Sequence, residues 1–209
     1  MQRPVILFDF DGTIANTLES IIDIMNKLSD EFGFKKIQSN DIESLRDKRP
    51  LEILKSLGIS LFKLPFVIRK ARKEINSHIA SLSPSVDLLP TLKYFKKQNF
   101  QIGIVTTNTE ENVRQFLHAN NLDFFDLFYT TKKVFGKDKT ITKIIKDMKL
   151  EKSCVFFIGD EVRDIEAGKK AGVKTIGVSW GYNTRDALDR EKPDFLIDSP
   201  MELEKIISL

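Results

Sequence analysis

The chain has 209 residues, 41% of them hydrophobic and 30% charged, with a formal net charge of +3. This length suits one domain with an insertion or two small domains, and the composition is that of a soluble globular protein. The small charge excess argues against nucleic acid or an anionic membrane as partner, and no apolar stretch approaches bilayer length.

The first apolar run, Val5-Ile6-Leu7, is bounded by Asp and Gly and reads as a buried strand that stops at the first carboxylate. It leads into Phe8-Asp9-Phe10-Asp11-Gly12-Thr13. Asp9 and Asp11 are two apart, so on an extended backbone their side chains point the same way. Adjacent anions at a strand end repel and resist desolvation unless a cation compensates them, and carboxylate oxygens suit a hard cation such as Mg²⁺. Gly12 permits a tight turn, and Thr13 offers a hydroxyl and a helix-start signal. The pattern points to phosphoryl transfer. The same acids interrupt the run before it could serve as a secretory signal; with a single cysteine, the expected location is cytoplasmic.

Residues 16–34 carry Leu18, Ile21, Ile22, Met25, Leu28 and Phe32 at helical spacing, with Asn16 and Glu19 as a capping-box pair and Gly33 as the stop. Helices are also predicted over 41–46, Pro50–Leu57 and 62–80, broken by Arg49-Pro50 and Gly58. No strand pattern occurs from 15 to about 84, which makes this an all-helical insert. Within it, Arg46, Lys48 and Arg49 read either as a seat for a second anionic group of the substrate or as an exposed basic face. The pairs Arg69-Lys70, Arg72-Lys73 and Lys132-Lys133 read as solvated faces, and His78 and His118 as structural or surface residues.

From Ser83-Pro84 onward, strands and helices alternate. Strands are predicted over 101–105, Leu127–Thr130, 154–158, Lys174–Val178 and Phe195–Ile197, with helices near 86–98, 110–119, 138–148, 161–171 and 201–208. Apolar strands separated by helices imply an α/β fold, a parallel sheet covered on both faces, whose ligands bind beyond the carboxyl ends of the strands. The expected organisation is a core of 1–14 and 85–209 with a helical domain, 15–84, inserted after the first strand. Cys154, in Cys154-Val155-Phe156-Phe157-Ile158, reads as a buried small hydrophobe.

Three more strand ends carry chemistry. Thr106-Thr107-Asn108-Thr109 precedes a helical run, so hydroxyls and free N–H groups make an anion site there, or Thr109 is simply the N-cap. In Val134-Phe135-Gly136-Lys137-Asp138-Lys139, a lysine at a helix start opposes the dipole; Lys137 is the candidate for holding phosphate or balancing the carboxylates, with Lys139 as the fallback. The fourth strand ends Gly159-Asp160-Glu161-Val162-Arg163-Asp164, where Asp160 and Asp164, four apart, are expected to share a helix face. Asp9, Asp11, Asp160 and Asp164 together are candidates to enclose one Mg²⁺.

With these residues assembled, the chain resembles the haloacid dehalogenase superfamily of hydrolases, in its phosphoglycolate-phosphatase-like branch. Asp9-Phe10-Asp11-Gly12-Thr13 matches the first motif, Thr106 the second, Lys137 the third, and Gly159-Asp160 with Asp164 the fourth. Ser179-Trp180-Gly181-Tyr182 resembles a segment common in that branch. The resemblance implies a Rossmann-like core with a helical C1-type cap, and a phosphatase acting on a small phosphorylated metabolite, with phosphoglycolate as one candidate. It implies Asp9 as nucleophile, Asp11 as general acid and base, and Mg²⁺ held by the Asp9 carboxylate, the Asp11 backbone carbonyl and Asp160. Asp164 would hold metal-bound water or orient Lys137. Thr106, the Thr107 N–H and Lys137 would cradle the phosphoryl group, and Asn108 would touch the rest of the substrate. A sugar phosphomutase, a phosphonate hydrolase using an insert lysine (Lys27, Lys35, Lys36, Lys48 or Lys55) and, remotely, a non-catalytic phospho-receiver are the alternatives. A monomer and a homodimer both suit the composition.

Overall fold

The strands expected from the apolar runs all form: β1 (Val5–Phe8), β2 (Gln101–Thr106), β3 (Leu127–Thr130), β4 (Val155–Gly159), β5 (Lys174–Val178) and β6 (Phe195–Ile197). The computed structural model describes residues 3–131 and 136–207. The strands make one parallel sheet in the order β3-β2-β1-β4-β5-β6. Alternate residues of β1 enter two different cores, as strand geometry requires. Ile6 and Phe8 pack with the buried faces of α5 (Leu89–Lys97), α6 (Glu110–Ala119) and α10 (Glu202–Ile207). Val5 and Leu7 pack with α7 (Lys137–Asp147) and α8 (Val162–Ala171) on the other side. Burying each such side chain contributes roughly 1.5–3 kcal/mol, which is why a central strand of four consecutive apolar residues can anchor the sheet.

The order of strands matters more for the site than their number. Connections run outward from β1 to β2 and β3 on one side, then return to β4, β5 and β6 on the other. Such a reversal opens a crevice at the carboxyl ends of the strands. Phe8 is in register with Ile104 of β2 and Ile158 of β4. Within two residues past this row, on three adjacent strands, come Asp9, Thr106 and Asp160.

Between β1 and α5 the structure has only helices: α1 (Leu18–Phe32), α2 (Ile42–Arg46), α3 (Pro50–Leu57) and α4 (Leu64–Asn76), with short 3₁₀ turns at Ser39–Asp41 and Ile79–Ser81. They bury their own apolar clusters, Ile24, Leu28, Val67, Ala71 and Ile75 between α1 and α4, and Leu45, Leu57 and Ile59 around α2 and α3. The chain enters and leaves this layer through paired segments: the Asn16 N–H donates to the Ser83 carbonyl (2.9 Å) and the Ser85 N–H to that of Ile14 (2.8 Å).

That pairing overturns two expectations. Residues around Asn16 are held extended, so α1 starts only at Leu18 and the Asn16–Glu19 capping box does not form. Thr13 is not at a helix start either; its hydroxyl serves Asp160 instead. Gly33 and Gly58 end α1 and α3 in the left-handed conformation, both at φ 70°, as expected of helix-stopping glycines. The helix predicted over 62–80 stops at Asn76, where the Ser77 hydroxyl donates to the Glu74 carbonyl (2.7 Å). A short helix, α9 (Arg185–Arg190), was not expected; the Thr184 side chain caps it by accepting from the Ala187 N–H. Cys154 is half-buried, not buried, because it closes a 3₁₀ turn ahead of β4. The Lys132-Lys133 pair lies outside the described residues. No helix among the described residues is long and apolar enough to cross a membrane.

Candidate active site

Four segments converge at the carboxyl end of the sheet, and each side chain is placed by the element that precedes it. Asp9 follows β1 and is anchored by its own N–H to the Ile158 carbonyl of β4 (2.8 Å). Gly12 then turns the chain at φ +86°, a conformation that L side chains rarely adopt. Lys137, the first residue of α7, is buried and sets its Nζ 2.6 Å from Asp9 Oδ1 and 2.6 Å from Asp164 Oδ1. The misplaced positive charge at this helix start is thus explained by two carboxylates that need it more than the dipole opposes it. Lys139 is exposed and not part of the cluster.

Asp160 and Asp164 meet, but not by sharing a helix face. α8 begins at Val162, so Asp160 sits on the turn before it and Asp164 in its first turn. Asp164 is already engaged: Oδ1 takes Lys137 and Oδ2 accepts the Glu161 N–H (3.2 Å). Asp160 accepts the Thr13 hydroxyl at Oδ1 (2.5 Å) and the Tyr182 N–H at Oδ2 (2.6 Å). One oxygen from each of Asp9, Asp160 and Asp164 lies within 4.8 Å of the others.

Charge decides what this cluster lacks. Asp9, Asp11, Asp160, Glu161 and Asp164 are gathered against two cations, Lys137 and Arg163. Burial pushes Asp9 up to about 7 against the pull of Lys137, with Asp164 reinforcing the rise. Burial likewise raises Asp11 to about 6, opposed by Lys137, Arg163 and the Asn108 side chain. Asp160 is pushed well above the ordinary carboxylate range, by burial first and by Asp9 next. Lys137 is held firmly protonated, since Asp164 and Asp9 outweigh its burial. Buried, uncompensated carboxylate oxygens of this kind fit a hard divalent cation.

Thr106 ends β2 buried, and its hydroxyl accepts the Asn108 N–H (3.0 Å) while keeping a proton to donate. Thr109 is the N-cap of α6, accepting from the Asn112 N–H. Thr107 and Asn108 reach a cleft of about 460 Å³ that Asp11, Arg163 and Tyr182 also line. Arg46 and Arg49 do not. Arg46 donates to the Tyr182 carbonyl (3.1 Å) and the Gly181 carbonyl (2.9 Å), and Arg49 pairs with Glu166 and Glu191, both at 2.5 Å. These two arginines bind the helical layer to the sheet domain and are not free to meet a second anionic group.

The segment after β5, noted in the sequence for its resemblance alone, and Asn183, which was not noted, help to build the site. Trp180 Nε1 donates to the Thr13 carbonyl (3.1 Å), and the Tyr182 hydroxyl bonds that of Thr17 (2.7 Å), so the segment after β5 locks the first motif to the fourth. Asn183 accepts the Val162 N–H (2.9 Å) and donates to the Arg46 carbonyl (2.6 Å), joining the start of α8 to the end of α2. Glu161 with Arg163 was visible as adjacent charge beyond a strand; Asn183 carried no local signal at all. Gly181 is there for space: a Cβ would run into the Asp160 carboxylate. Gly181→Ala is therefore expected to displace Asp160 and weaken divalent-metal affinity by roughly 10–100-fold, measured by calorimetric titration. Unchanged affinity would show that Asp160 does not hold the metal.

The family model for haloacid dehalogenase-like hydrolases matches residues 6–178. The phosphoglycolate phosphatase of Synechococcus elongatus is 24% identical over 204 residues, covering 97% of this chain and 96% of that protein. The pyrophosphatase PpaX of Bacillus mycoides is 28% identical over 213 residues, covering 100% and 98%. A haloacid dehalogenase-like family hydrolase from Streptococcus pneumoniae superposes with a TM-score of 0.79 at 20% identity over 98% of each chain, a likeness of fold. Matched from β1 to the end of β5, across every strand end that contributes an acid, a hydroxyl or the buried lysine, the chain belongs to the haloacid dehalogenase-like hydrolases.

Proposed function

We propose that the protein is a Mg²⁺-dependent phosphatase that moves the phosphoryl group of a small phosphomonoester first to Asp9 and then to water. The observation that carries this reading is the buried Asp9–Lys137–Asp164 chain beside Asp160. It supplies a nucleophile held in place, a fixed positive charge and a seat for a cation in one crevice. The Asp9 and Asp160 carboxylates and the Asp11 backbone carbonyl would hold Mg²⁺. When bound, the ion offsets the repulsion between carboxylate and phosphate oxygens.

The residues divide the chemistry between them. Asp9 attacks phosphorus in line with the leaving oxygen; the new Asp9–phosphorus bond forms as the ester bond breaks. Asp11, whose carboxyl titrates near neutrality through burial, gives its proton to the leaving oxygen. It then takes a proton from the water that attacks phosphorus and releases the Asp9 carboxylate. Thr106, the Thr107 N–H and Lys137 hold the phosphoryl oxygens, and Asp164 keeps Lys137 pointed at them. The helices α1 to α4 act as the cap, with residues 15–84 as its extent, roofing the crevice against bulk water.

A Schiff-base route through an insert lysine is disfavoured. Lys27, Lys35, Lys36 and Lys55 are exposed and Lys48 donates to Ser56 (3.1 Å), so no insert lysine is placed for a Schiff base in the cleft beside Asp11. A receiver switch is disfavoured because Asp9 and Asp11 follow one strand and a helical layer covers them. The two curated relatives, named for phosphoglycolate and for pyrophosphate, agree in the reaction and differ in the leaving group.

Phosphate release from p-nitrophenyl phosphate, with Mg²⁺ and with EDTA, tests the reading. Release is expected only with the metal, and turnover unaffected by EDTA would overturn it. Thermal unfolding gives a second measure. Asp9 has a raised carboxyl in the folded, metal-free protein, so its contribution favours folding below about pH 4 and is lost as pH rises through about 7. Because the cation binds the ionised form, the rise in Tm on adding Mg²⁺ is expected to be larger at pH 8 than at pH 5.5.

A further inference from the structure

The cleft that opens beside Asp11 has walls of two unlike kinds. On the sheet side are the polar groups already described. The opposite wall is aliphatic, built from Ile21 and Met25 of α1, Leu54 of α3, and Leu64, Ile68 and Ile75 of α4. The α4 contribution runs in i, i+4 steps along one face, through Leu64 and Ile68 to Arg72 and Asn76, a wall on the order of 18 Å long at 1.5 Å per residue that begins aliphatic and ends polar. Arg72 and Arg163 are the cations lining it. Arg163 is paired with Glu161, and two arginines of the insert are bound elsewhere: Arg46 to backbone carbonyls, Arg49 to Glu166 and Glu191.

These walls fit a short, doubly anionic substrate poorly. A carboxylated two-carbon leaving group would use a small part of a cleft of about 460 Å³ and leave most of its aliphatic wall against water. On that wall only Arg72 and Asn76 could meet its carboxylate, and the aliphatic side chains that make up the rest offer it no hydrogen bond. An extended hydrocarbon would instead cover Met25, Leu54 and Ile68 while its phosphate sits among Lys137, Thr106 and Thr107.

We propose that the substrate is a phosphomonoester whose leaving group has an extended apolar body, aliphatic or aromatic, lying along α4 opposite Asp11. This rests on the phosphatase reading and goes beyond it by choosing the leaving group. The phosphate is recognised by charge and the rest by area, so affinity grows with the length of the hydrocarbon.

The test is a series of unbranched alkyl monophosphates, methyl to octyl, assayed with the full chain and Mg²⁺ alongside 2-phosphoglycolate. Leaving-group basicity is nearly constant along the series, so kcat/KM reports the cleft. An increase of about two- to fourfold per methylene over the early members is expected, the range set by partial to complete burial of each group. Phosphoglycolate is expected to fall below the longer members. A flat series, or phosphoglycolate tenfold better than every alkyl ester, would overturn the proposal while leaving the phosphatase reading intact. Absence of turnover on every substrate would overturn both. The matching alkylphosphonates, read as inhibition constants or by calorimetry, should show the same chain-length slope without any chemical step. Ile68→Asn is expected to flatten that slope, with Leu54→Asn used if the first variant does not fold. A slope unchanged in a folded variant would place the hydrocarbon elsewhere and overturn the assignment to α4.

Discussion

Asp9→Asn is expected to abolish phosphate release, by at least about 10⁴-fold in kcat, even at saturating Mg²⁺. The amide has nearly the shape of the carboxylate and keeps an oxygen for Lys137, so the loss reports chemistry more than folding. Asn cannot form the acyl phosphate, and neither Asp160 nor Asp164 is free to replace it. Asp164 is tied to Lys137 and the Glu161 N–H, and Asp160 to Thr13 and Tyr182. Acid quenching of a single turnover provides the check. Wild-type protein should retain phosphate covalently at early times, and the variant none, with circular dichroism confirming that it is folded. Hydrolysis by the variant at the wild-type rate would remove Asp9 from its role.

Lys137→Met should damage stability and activity together. The ammonium is buried between Asp9 and Asp164, and removing it leaves both carboxylates without their shared partner in a site already rich in acid. Breaking a buried ion pair from one side costs about 3–5 kcal/mol, a large part of a domain's total stability. Loss of the charge facing the phosphoryl group is expected to lower kcat/KM by about 10²–10³-fold. The pH dependence identifies the cause. Lys137 lowers the Asp9 carboxyl, so without it Asp9 titrates higher still and folds best protonated. The stability deficit measured by urea unfolding should therefore shrink between pH 8 and pH 5.5. A deficit independent of pH would point to lost packing instead of uncompensated charge.

Much of the catalytic end is legible in the chain because each acid or hydroxyl follows a strand. An apolar β-branched run is recognisable locally, and a parallel sheet puts all its strand ends on one side. Asp9, Thr106 and Asp160 are thus placed together by the sequence pattern alone. The burial of Lys137 was legible only as an electrostatic oddity at a helix start; its two partners lie far away in the chain, beyond any local pattern.

What could not be read is every feature that depends on which segments meet. Arg46 and Arg49 look alike in sequence to residues that wait for an anion, yet the loop at Gly181 and the acids Glu166 and Glu191 claim them. Arg72, in a run that reads as a solvated face, lines the cleft because of how α4 is rotated over the sheet. Asn183 bridges α2 and α8 with no motif around it. Strand, turn and charge order are local properties of the backbone, so the fold class and the acid-bearing strand ends stand written in the chain. Which side chain satisfies a buried partner, and which faces of the helices roof the crevice, are settled by long-range packing, where desolvation decides which pairs form.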